Sequence, residues 1–197
     1  MNSNYKVLKF KSNNSKEVDD KISIEEPLEI ILKYKIEEKW IEKTISITMR
    51  TPGDDESLVT GFLINERVIE KINYIEKIEV SGEKVGQYKI KNKVIVTINN
   101  SENIDIDKIK RNFLTNSSCD VCGKTSLDSL EIIKTDKIIK SIPKINHEII
   151  MKSPNVLRQN QSEFSKTGGI HASGLFDTNG NIIAVKEDVG RHNALDK

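Results

Sequence analysis

The chain has 197 residues, with 31 Lys and Arg against 30 Asp and Glu, and this near-balance of charge argues against electrostatic binding to nucleic acid or to an anionic membrane. No apolar run approaches the roughly 20 residues that span a bilayer, and the start shows no signal peptide, so we expect no membrane segment. The two cysteines are then expected to be reduced thiols in a cytoplasmic protein with room for one compact domain, or for a domain with a smaller lobe.

The N-terminal part is predicted to be rich in strands. Residues 1–21 are polar and rich in Lys, Asn and Ser, which favours a flexible lead-in. Apolar side chains then alternate with others over 28–36 and again over 41–49, so these two runs predict a β-hairpin. The side chains that share one parity are Leu28, Ile30, Leu32, Tyr34 and Ile36 in the first run and Ile41, Lys43, Ile45, Ile47 and Met49 in the second.

A helix is predicted after this hairpin. Asp54 or Asp55 is a suitable N-cap, and apolar side chains recur at helical spacing over residues 55–70. Short strands are predicted at 74–80, 87–91 and 93–98.

The second half alternates helices with strands, which predicts a layered α/β core. Helices are expected at 107–114, beyond Cys122 through 127–133, and from Ser153-Pro154 to about Gly168. Strands are expected at 170–176 and 182–185, around a turn at 178–181. The sequence stops one turn into a predicted helix at Lys197, so we expect a fragment that lacks its C-terminal part.

These patterns divide the chain into three predicted regions. They are a flexible lead-in (1–21), an N-terminal β-rich lobe with one helix (22–103) and an α/β core (104–197). The fold class expected is therefore α/β, or more broadly α+β.

The first candidate for chemistry is the pair Cys119 and Cys122. In a cytoplasmic protein this spacing is typical of half a zinc site, of a dithiol redox pair or of a sulfur-relay thiol. A zinc site needs four protein ligands and only three histidines could complete it, so we expect no structural zinc. Lys124 and a helix N-terminus just beyond Cys122 favour the thiolate. A thiolate can attack the outer sulfur of a donor persulfide and become a persulfide itself.

A glycine-rich segment is the second candidate. Thr167-Gly168-Gly169 lies between a predicted helix and a predicted strand, and His171 follows two residues later. This arrangement fits a backbone nest that admits a ligand. It fits equally a glycine C-cap followed by a core histidine, and the sequence leaves both interpretations open.

A third candidate lies where a predicted strand gives way to a helix. Its functional residues are Glu187, Asp188, Gly190, Arg191, His192 and Asn193. Arg191 beside a helix N-terminus suits a phosphate, although a solvated charged loop is the alternative. A weaker candidate is the turn that contains Arg50 and Thr51, because its Arg could reach an anion.

A zinc nucleobase deaminase is disfavoured by the residues. Such enzymes carry His-x-Glu followed later by Pro-Cys-x-x-Cys. Here Ser118 stands in place of that Pro, and His171 comes after the cysteines without the required Glu. His147-Glu148 places the Glu one residue too early.

Four motifs in order carry a family resemblance. They are Met49-Arg50-Thr51-Pro52-Gly53, Ser117-Ser118-Cys119-x-x-Cys122-Gly123, Thr167-Gly168-Gly169-x-His171-Ala172 and Glu187-Asp188-Val189-Gly190-Arg191-His192-Asn193-Ala194-x-Asp196-Lys197. With Glu25-Glu26-Pro27-Leu28, they make the chain resemble the FdhD family of formate dehydrogenase accessory sulfurtransferases from about Glu25 to Lys197.

The resemblance implies a fold and a function. It implies a cytidine deaminase-like core without the catalytic zinc, in a homodimer. It implies a sulfur carrier required for formate dehydrogenase, which takes sulfur from a cysteine desulfurase and passes it to the Mo- or W-bis(molybdopterin guanine dinucleotide) cofactor. By match, Cys119 bears the persulfide and Cys122 is its partner. The residues expected near the cofactor are Arg50, Thr51, Thr167, Gly168, Gly169, His171, Glu187, Asp188, Gly190, Arg191, His192 and Asn193.

Two departures from the family pattern bear on this expectation. Family members continue well past the Asp-Lys pair, and their tail contributes to cofactor binding. Asp120 stands where they usually carry Gly, and a carboxylate beside a thiol works against its ionisation. Two alternatives stay open, namely a cofactor-binding chaperone without sulfur transfer and a Cys-x-x-Cys dithiol oxidoreductase.

Overall fold

The computed structural model describes residues 1–85, 87–99, 104 and 144–197. The described residues fall into two compact units. The hairpin unit contains Met1–Glu25, Thr51–Gly53 and residues 144–195, and the sheet unit contains Glu26–Arg50, residues 54–85 and 87–99, Ile104 and Asp196–Lys197. The cysteine loop and the helices predicted at 107–114 and 127–133 lie outside the described residues.

Helices and strands are mixed along the chain. In order they are β1 (Asn2–Lys11), β2 (Asn14–Ser23), β3 (Glu26–Ile36), β4 (Lys39–Arg50), α1 (Asp55–Asn65), a 3-10 turn (Ile72–Tyr74), β5 (Ile75–Val85), β6 (Ile90–Ile98), α2 (His147–Gln159), α3 (Ser162–Thr167), β7 (His171–Phe176), β8 (Ile182–Asp188) and α4 (Arg191–Asp196). This mixture confirms the predicted α+β class. The cytidine deaminase-like arrangement stays a prediction.

The sheet unit is built on a four-stranded sheet in the order β4-β3-β6-β5. Strands β3 and β4 form the predicted antiparallel hairpin, and β3 pairs with β6 in parallel. One face of the sheet and helix α1 enclose an apolar core, as the period-2 and helical patterns require. Its side chains include Leu28, Ile30, Leu32, Tyr34, Leu58, Val59, Leu63, Val94, Val96 and Ile98.

A β-bulge corrects the predicted parity of β4. Ile31 pairs with Thr44 and Ile30 pairs with Ser46, so Ile45 is an extra residue in the ladder. Beyond a bulge the two faces of a strand exchange. Ile47 and Met49 are therefore exposed, although the alternation predicted them on the same face as Ile45.

Helix α1 is shorter than the predicted range 55–70. It ends at Asn65, and Arg67 has a positive φ of 55° that no helix interior allows. Val68 and Ile69 are still buried, because the chain turns back and both backbone N–H groups donate to the carbonyl of Leu63 (2.8 and 3.2 Å).

The two strands predicted at 87–91 and 93–98 are not separate. Residues 87–89 form a turn, and the remainder belongs to the single strand β6. The polar start of β6 pairs with the end of β5, so the backbone ladder carries the strand through residues whose side chains do not alternate.

The lead-in predicted for residues 1–21 is instead a β-hairpin. Strands β1 and β2 pair in register from Asn2 opposite Ser23 to Lys11 opposite Asn14. Composition suggested disorder because few apolar side chains are present, but backbone pairing does not need them. Cross-strand ion pairs such as Lys9–Asp20 (2.9 Å) add to it.

Helix α2 begins earlier than predicted. Its N-cap is Asn146, whose side chain accepts from the backbone N–H of Glu148 (3.0 Å), so the predicted start at Ser153 is wrong. Pro154 lies inside the helix, where it removes the hydrogen bond to the carbonyl of Ile150. The Ser153 hydroxyl donates to that same carbonyl (2.9 Å) and replaces the missing partner.

The hairpin of β7 and β8 confirms the two strands predicted near the end of the chain. The turn between them is fixed by Asp177, whose carboxylate accepts from the backbone N–H groups of Asn179 (2.9 Å) and Asn181 (2.8 Å). Strand β8 continues to Asp188, three residues beyond the prediction. It therefore carries the chain directly into the third candidate segment.

The predicted boundary at 103/104 adjoins residues 100–103, which are not described, and it stays a prediction. The β1–β2 hairpin belongs to the same unit as residues 144–195, so it is not a region of its own. In the described part of the chain, no helix combines the length and the apolar character that crossing a membrane requires.

Candidate functional site

Cys119 and Cys122 are not among the described residues, so their predicted roles stay predictions. Across residues 1–85, 87–99, 104 and 144–197, no three His, Cys, Asp or Glu side chains cluster as a metal site would require. The expectation that the chain holds no structural zinc also stays a prediction, because the cysteines are not covered. The candidate ligand-binding residues, in contrast, are all described.

The β7–β8 ladder brings the second and third candidate segments together. His171 lies opposite Asp188, and Ala172 lies opposite Glu187. The glycine-rich turn precedes β7, and the turn at Val189 and Gly190, which leads into α4, follows β8. Because the strands are antiparallel, both turns lie at the same end of the hairpin.

Asp188 is the most enclosed of the candidate residues in the hairpin unit, with none of its surface exposed. Its Oδ2 accepts from the backbone N–H of Thr51 (3.0 Å), and its Oδ1 accepts from the backbone N–H of Gly190 (2.9 Å) and from Nδ2 of Asn193 (3.2 Å). Thr51 makes a second bond to the same segment, in which its hydroxyl accepts from the backbone N–H of Val189 (3.1 Å). These bonds hold the Thr51 segment and the turn after β8 to each other. We call them the Asp188 clamp.

Glu187 stabilises the start of helix α3. Its two carboxylate oxygens accept from the backbone N–H groups of Glu163 and Phe164, each at 2.8 Å. The first N–H groups of a helix have no partner within the helix, and a carboxylate there also complements the helix dipole. Glu187 therefore caps a helix that ends at Thr167, immediately before the glycine turn.

The glycine turn has the geometry of a helix C-cap. Gly168 has a left-handed φ of 69°, and its N–H donates to the carbonyl of Phe164 (2.8 Å). His171 is exposed, so the accompanying interpretation as a core histidine is wrong. A Cβ at Gly168 or Gly169 would meet nothing within 4 Å, so open space lies in front of the turn. Its role as a ligand nest stays a prediction.

The start of the chain is attached to the same helix. The Ser23 hydroxyl donates to Oγ1 of Thr167 (2.9 Å), and Nδ2 of Asn2 donates to the Glu163 carboxylate (2.8 Å). Burial alone raises the pKa of Glu163, but hydrogen bonds from Asn2, Lys166 and the Met1 ammonium outweigh it and lower this pKa to about 2. Glu163 is therefore an ionised anchor for the β1–β2 hairpin.

A cavity of about 310 Å³ opens beside the glycine turn. One wall is formed by the β1–β2 hairpin and the residues that follow it, and the other by both candidate segments. The first wall includes Lys21, Ser23 and Glu25, and the second includes Thr167, Gly169 and Val189. The cavity is lined by two hydroxyls, one ammonium, two carboxylates (those of Asp20 and Glu25) and aliphatic side chains. The sequence does not predict this hairpin wall, because residues 20–24 carry no motif and residues 1–21 are predicted to be a flexible lead-in; Glu25 belongs only to the resemblance motif at 25–28.

Arg191 and His192 are exposed at the start of α4. Gly190, just before them, has a steric reason to be glycine, because a Cβ there would lie 2.9 Å from Nδ2 of Asn193. The structure therefore presents Arg191 on a turn whose backbone is fixed by the Asp188 clamp. An exposed guanidinium can meet phosphate oxygens from solvent.

Arg50 is placed differently from the other candidates, because it belongs to the sheet unit and is fully buried. Its Nε and Nη2 donate to the two carboxylate oxygens of Asp55, both at 2.8 Å, and its Nη1 donates to the carbonyl of Glu26 (3.2 Å). Asp54 occupies the N-cap position of α1, as predicted, but it makes no side-chain cap bond, and Asp55 is paired with Arg50. Anion binding by Arg50 stays a prediction.

Comparison with known proteins gives a consistent result. The family model of the FdhD/NarQ family matches residues 23–197. A sulfur carrier protein FdhD from Picrophilus torridus is 44% identical over 181 residues, which cover 91% of this chain and 63% of the relative. Its namesake from Sulfolobus acidocaldarius is 36% identical over 192 residues, which cover 98% of this chain and 66% of the relative. The chain thus spans about two thirds of the length of these curated relatives.

Among solved structures, a formate dehydrogenase accessory protein from Desulfotalea psychrophila superimposes with a TM-score of 0.64. The superposition covers 99% of this chain and 66% of that one, at 21% sequence identity. Such a likeness shows the fold alone. The match over residues 23–197 is what shows the family, and the chain belongs to the FdhD/NarQ family.

Proposed function

We propose that this chain is a sulfur carrier for formate dehydrogenase and acts as a sulfurtransferase through a persulfide on Cys119. The observation that carries the proposal is membership of the FdhD/NarQ family, with a relative named sulfur carrier protein FdhD that is 44% identical. The chain contains Cys119, the thiol proposed to bear the persulfide, and Cys122 three residues later.

The proposed transfer is an exchange of sulfur between thiols. The Cys119 thiolate attacks the outer sulfur of a persulfide on a cysteine desulfurase, the bond between the donor's two sulfurs breaks, and the donor leaves as a thiolate. Cys119 then bears the persulfide, without any external oxidant or reductant. Cys122 stabilises this species or resolves it. The cytoplasm, where thiols stay reduced, is the proposed place of action.

The proposed acceptor is the Mo- or W-bis(molybdopterin guanine dinucleotide) cofactor of formate dehydrogenase, bound as a substrate. The geometry of the hairpin unit supports this choice in two ways. Open space in front of Gly169 allows a bulky ligand to approach the backbone, and the exposed Arg191 offers a guanidinium to phosphate groups. We further propose that the chain works as a homodimer.

Intact-mass measurement tests the proposal. The chain is incubated with a cysteine desulfurase and L-cysteine, and wild type is expected to gain about 32 Da, the mass of one sulfur atom, which dithiothreitol removes. Cys119→Ala should gain none, whereas Cys122→Ala, the matched control, should still acquire the adduct.

Each alternative predicts a different outcome. A chaperone without sulfur transfer would bind guanine nucleotide but acquire no mass in any variant. A dithiol oxidoreductase would instead lose about 2 Da on forming a reversible Cys119–Cys122 disulfide. Either result would contradict the sulfur-carrier assignment.

A further inference from the structure

We propose that Asp188 is a positioning residue: it fixes the turn that presents Arg191 and does not itself contact the ligand. This inference deepens the proposed function and rests on it, because Arg191 is the group proposed to meet the phosphates of the guanine nucleotides. It also revises the expectation that Asp188 and Asn193 bind the cofactor directly.

The burial of Asp188 is the first argument. Its side chain has no exposed surface, and three N–H groups of the same unit donate to its two oxygens at 2.9–3.2 Å. A ligand could reach these oxygens only by displacing those donors, which would then be left buried without acceptors. Asn193 is also buried, and its Nδ2 is one of the three donors.

The position of Arg191 within the clamp is the second argument. The backbone is held at Val189 by the Thr51 hydroxyl and at Gly190 by Asp188, directly before Arg191. Two residues beyond Arg191, the side chain of Asn193 is held by Asp188 again. Arg191 itself is exposed. The clamp therefore holds the backbone directly before Arg191 and the side chain of the residue two positions after it.

Only a carboxylate satisfies this arrangement of donors. Donors approach both oxygens of Asp188, so an amide of the same size would direct its NH₂ group at one of them. Asp188→Asn should therefore weaken the clamp without leaving a cavity. Asp188→Ala removes it, and Asn193→Ala deletes one bond of the three.

A double-mutant cycle distinguishes positioning from direct contact. Affinity for guanosine diphosphate is measured by calorimetry for wild type, Asp188→Ala, Arg191→Ala and the double variant. We expect each single variant to bind about tenfold more weakly. Asp188 acts only through the position of Arg191, so each variant loses the same charge-assisted contact between Arg191 and phosphate. The double variant should then bind no more weakly than Arg191→Ala. Multiplicative losses in the cycle would mean that Asp188 contacts the ligand, and would overturn the proposal.

Hydrogen exchange gives a second readout that does not need the nucleotide. Asp188→Ala should speed exchange of the amides at Thr51 and at residues 189–194, while the amides of β3 and β6 serve as unchanged controls. Unchanged exchange in the turn, or faster exchange with unaltered nucleotide affinity, would overturn the proposal. If Asp188→Ala does not fold, Asn193→Ala must show the same effects at smaller size. If wild type binds no guanosine diphosphate, the cofactor part of the proposed function fails, and exchange alone decides whether the clamp holds the turn.

Discussion

The two units are stabilised by different kinds of buried side chain. In the sheet unit the buried residues are overwhelmingly aliphatic, and Leu28, Leu32, Val94 and Val96 have no exposed surface. In the described part of the hairpin unit, the polar residues Thr51, Gln161, Asp188 and Asn193 are buried alongside three apolar ones, which are Ile24, Ile170 and Ala194. Apolar burial stabilises in proportion to area and without direction, whereas hydrogen bonds fix particular atoms. Polar residues such as Asp188, which a sequence suggests as ligand contacts, can thus hold the backbone around a site instead.

The largest effect is expected from truncating the aliphatic core. Leu32→Ala should lower the free energy of unfolding by about 2–5 kcal/mol, because it leaves a cavity in a fully buried position. Ile47→Ala lies in the same sheet but at a side chain that is 52% exposed, and should cost less than about 1 kcal/mol. Urea unfolding of both variants measures the contrast. Equal losses would mean that the sheet unit is not held by its apolar face.

A steric change in the sheet unit should have the next largest effect. A Cβ on Gly61 in helix α1 would collide with the backbone of Asp196, which belongs to the same unit and would have to shift. Gly61→Ala is expected to destabilise by about 1–3 kcal/mol despite the better helix propensity of Ala. Gly169→Ala meets nothing within 4 Å and is the matched control, with little change expected in thermal unfolding. A stabilised Gly61→Ala variant would contradict the close packing of α1 against Asp196.

In the hairpin unit, removing a cap should have a smaller and more local effect. Glu187→Gln keeps one acceptor for the start of α3 but loses the charge, so a loss of about 0.5–2 kcal/mol is expected. Hydrogen exchange at Phe164 and neighbouring amides should rise first. Glu148→Gln is the control, because that carboxylate is 63% exposed. Equal protection of α3 in both variants would show that Glu187 is not its cap.

The smallest effect is expected from acid. The pKa of Glu163 is about 2 in the fold against an ordinary value of 4.5, so its contribution is complete above pH 4.5 and is lost as pH falls toward 2. Partial exposure and screening limit this contribution to below about 1 kcal/mol. Stability measured between pH 5 and 2 should fall less steeply for Glu163→Gln than for wild type. Parallel curves would mean that this carboxylate does not anchor the β1–β2 hairpin.

The sheet unit was predictable because period-2 and helical spacing of aliphatic residues report burial directly. The inner residues of β3 are predicted in this way, whereas the strands after Gly169, in the hairpin unit, are predicted from the turn at 178–181. Failures occurred where backbone geometry, rather than side-chain hydrophobicity, decides the structure. The bulge at Ile45, the hairpin of β1 and β2 and the passage of α2 through Pro154 depend on backbone hydrogen bonds that composition does not report.

The sequence predicts which residues belong to the candidate segments better than it predicts which contacts those residues make. The sequence indicates Glu187, Asp188 and Arg191 as candidate binding residues, because so many charged and polar side chains are rarely found together in one short turn. It did not indicate that Glu187 would cap α3 or that Asp188 would bond to Thr51, since a residue 137 positions away is invisible to local spacing. The cavity wall at residues 21–24 carries no motif from which it could be predicted, and Glu25 belongs only to the motif Glu25-Glu26-Pro27-Leu28, which does not indicate a cavity.

Sulfur transfer to the client is the central claim, and a labelled chase tests it most directly. The chain is incubated with a cysteine desulfurase and L-[³⁵S]cysteine, and small molecules are then removed. The labelled chain is mixed with inactive formate dehydrogenase whose cofactor has not yet received its sulfur. The account predicts that label leaves Cys119, appears with the client's cofactor and is accompanied by formate oxidation, while Cys119→Ala delivers none. Label that stays on the chain, or equal activation by Cys119→Ala, would contradict it.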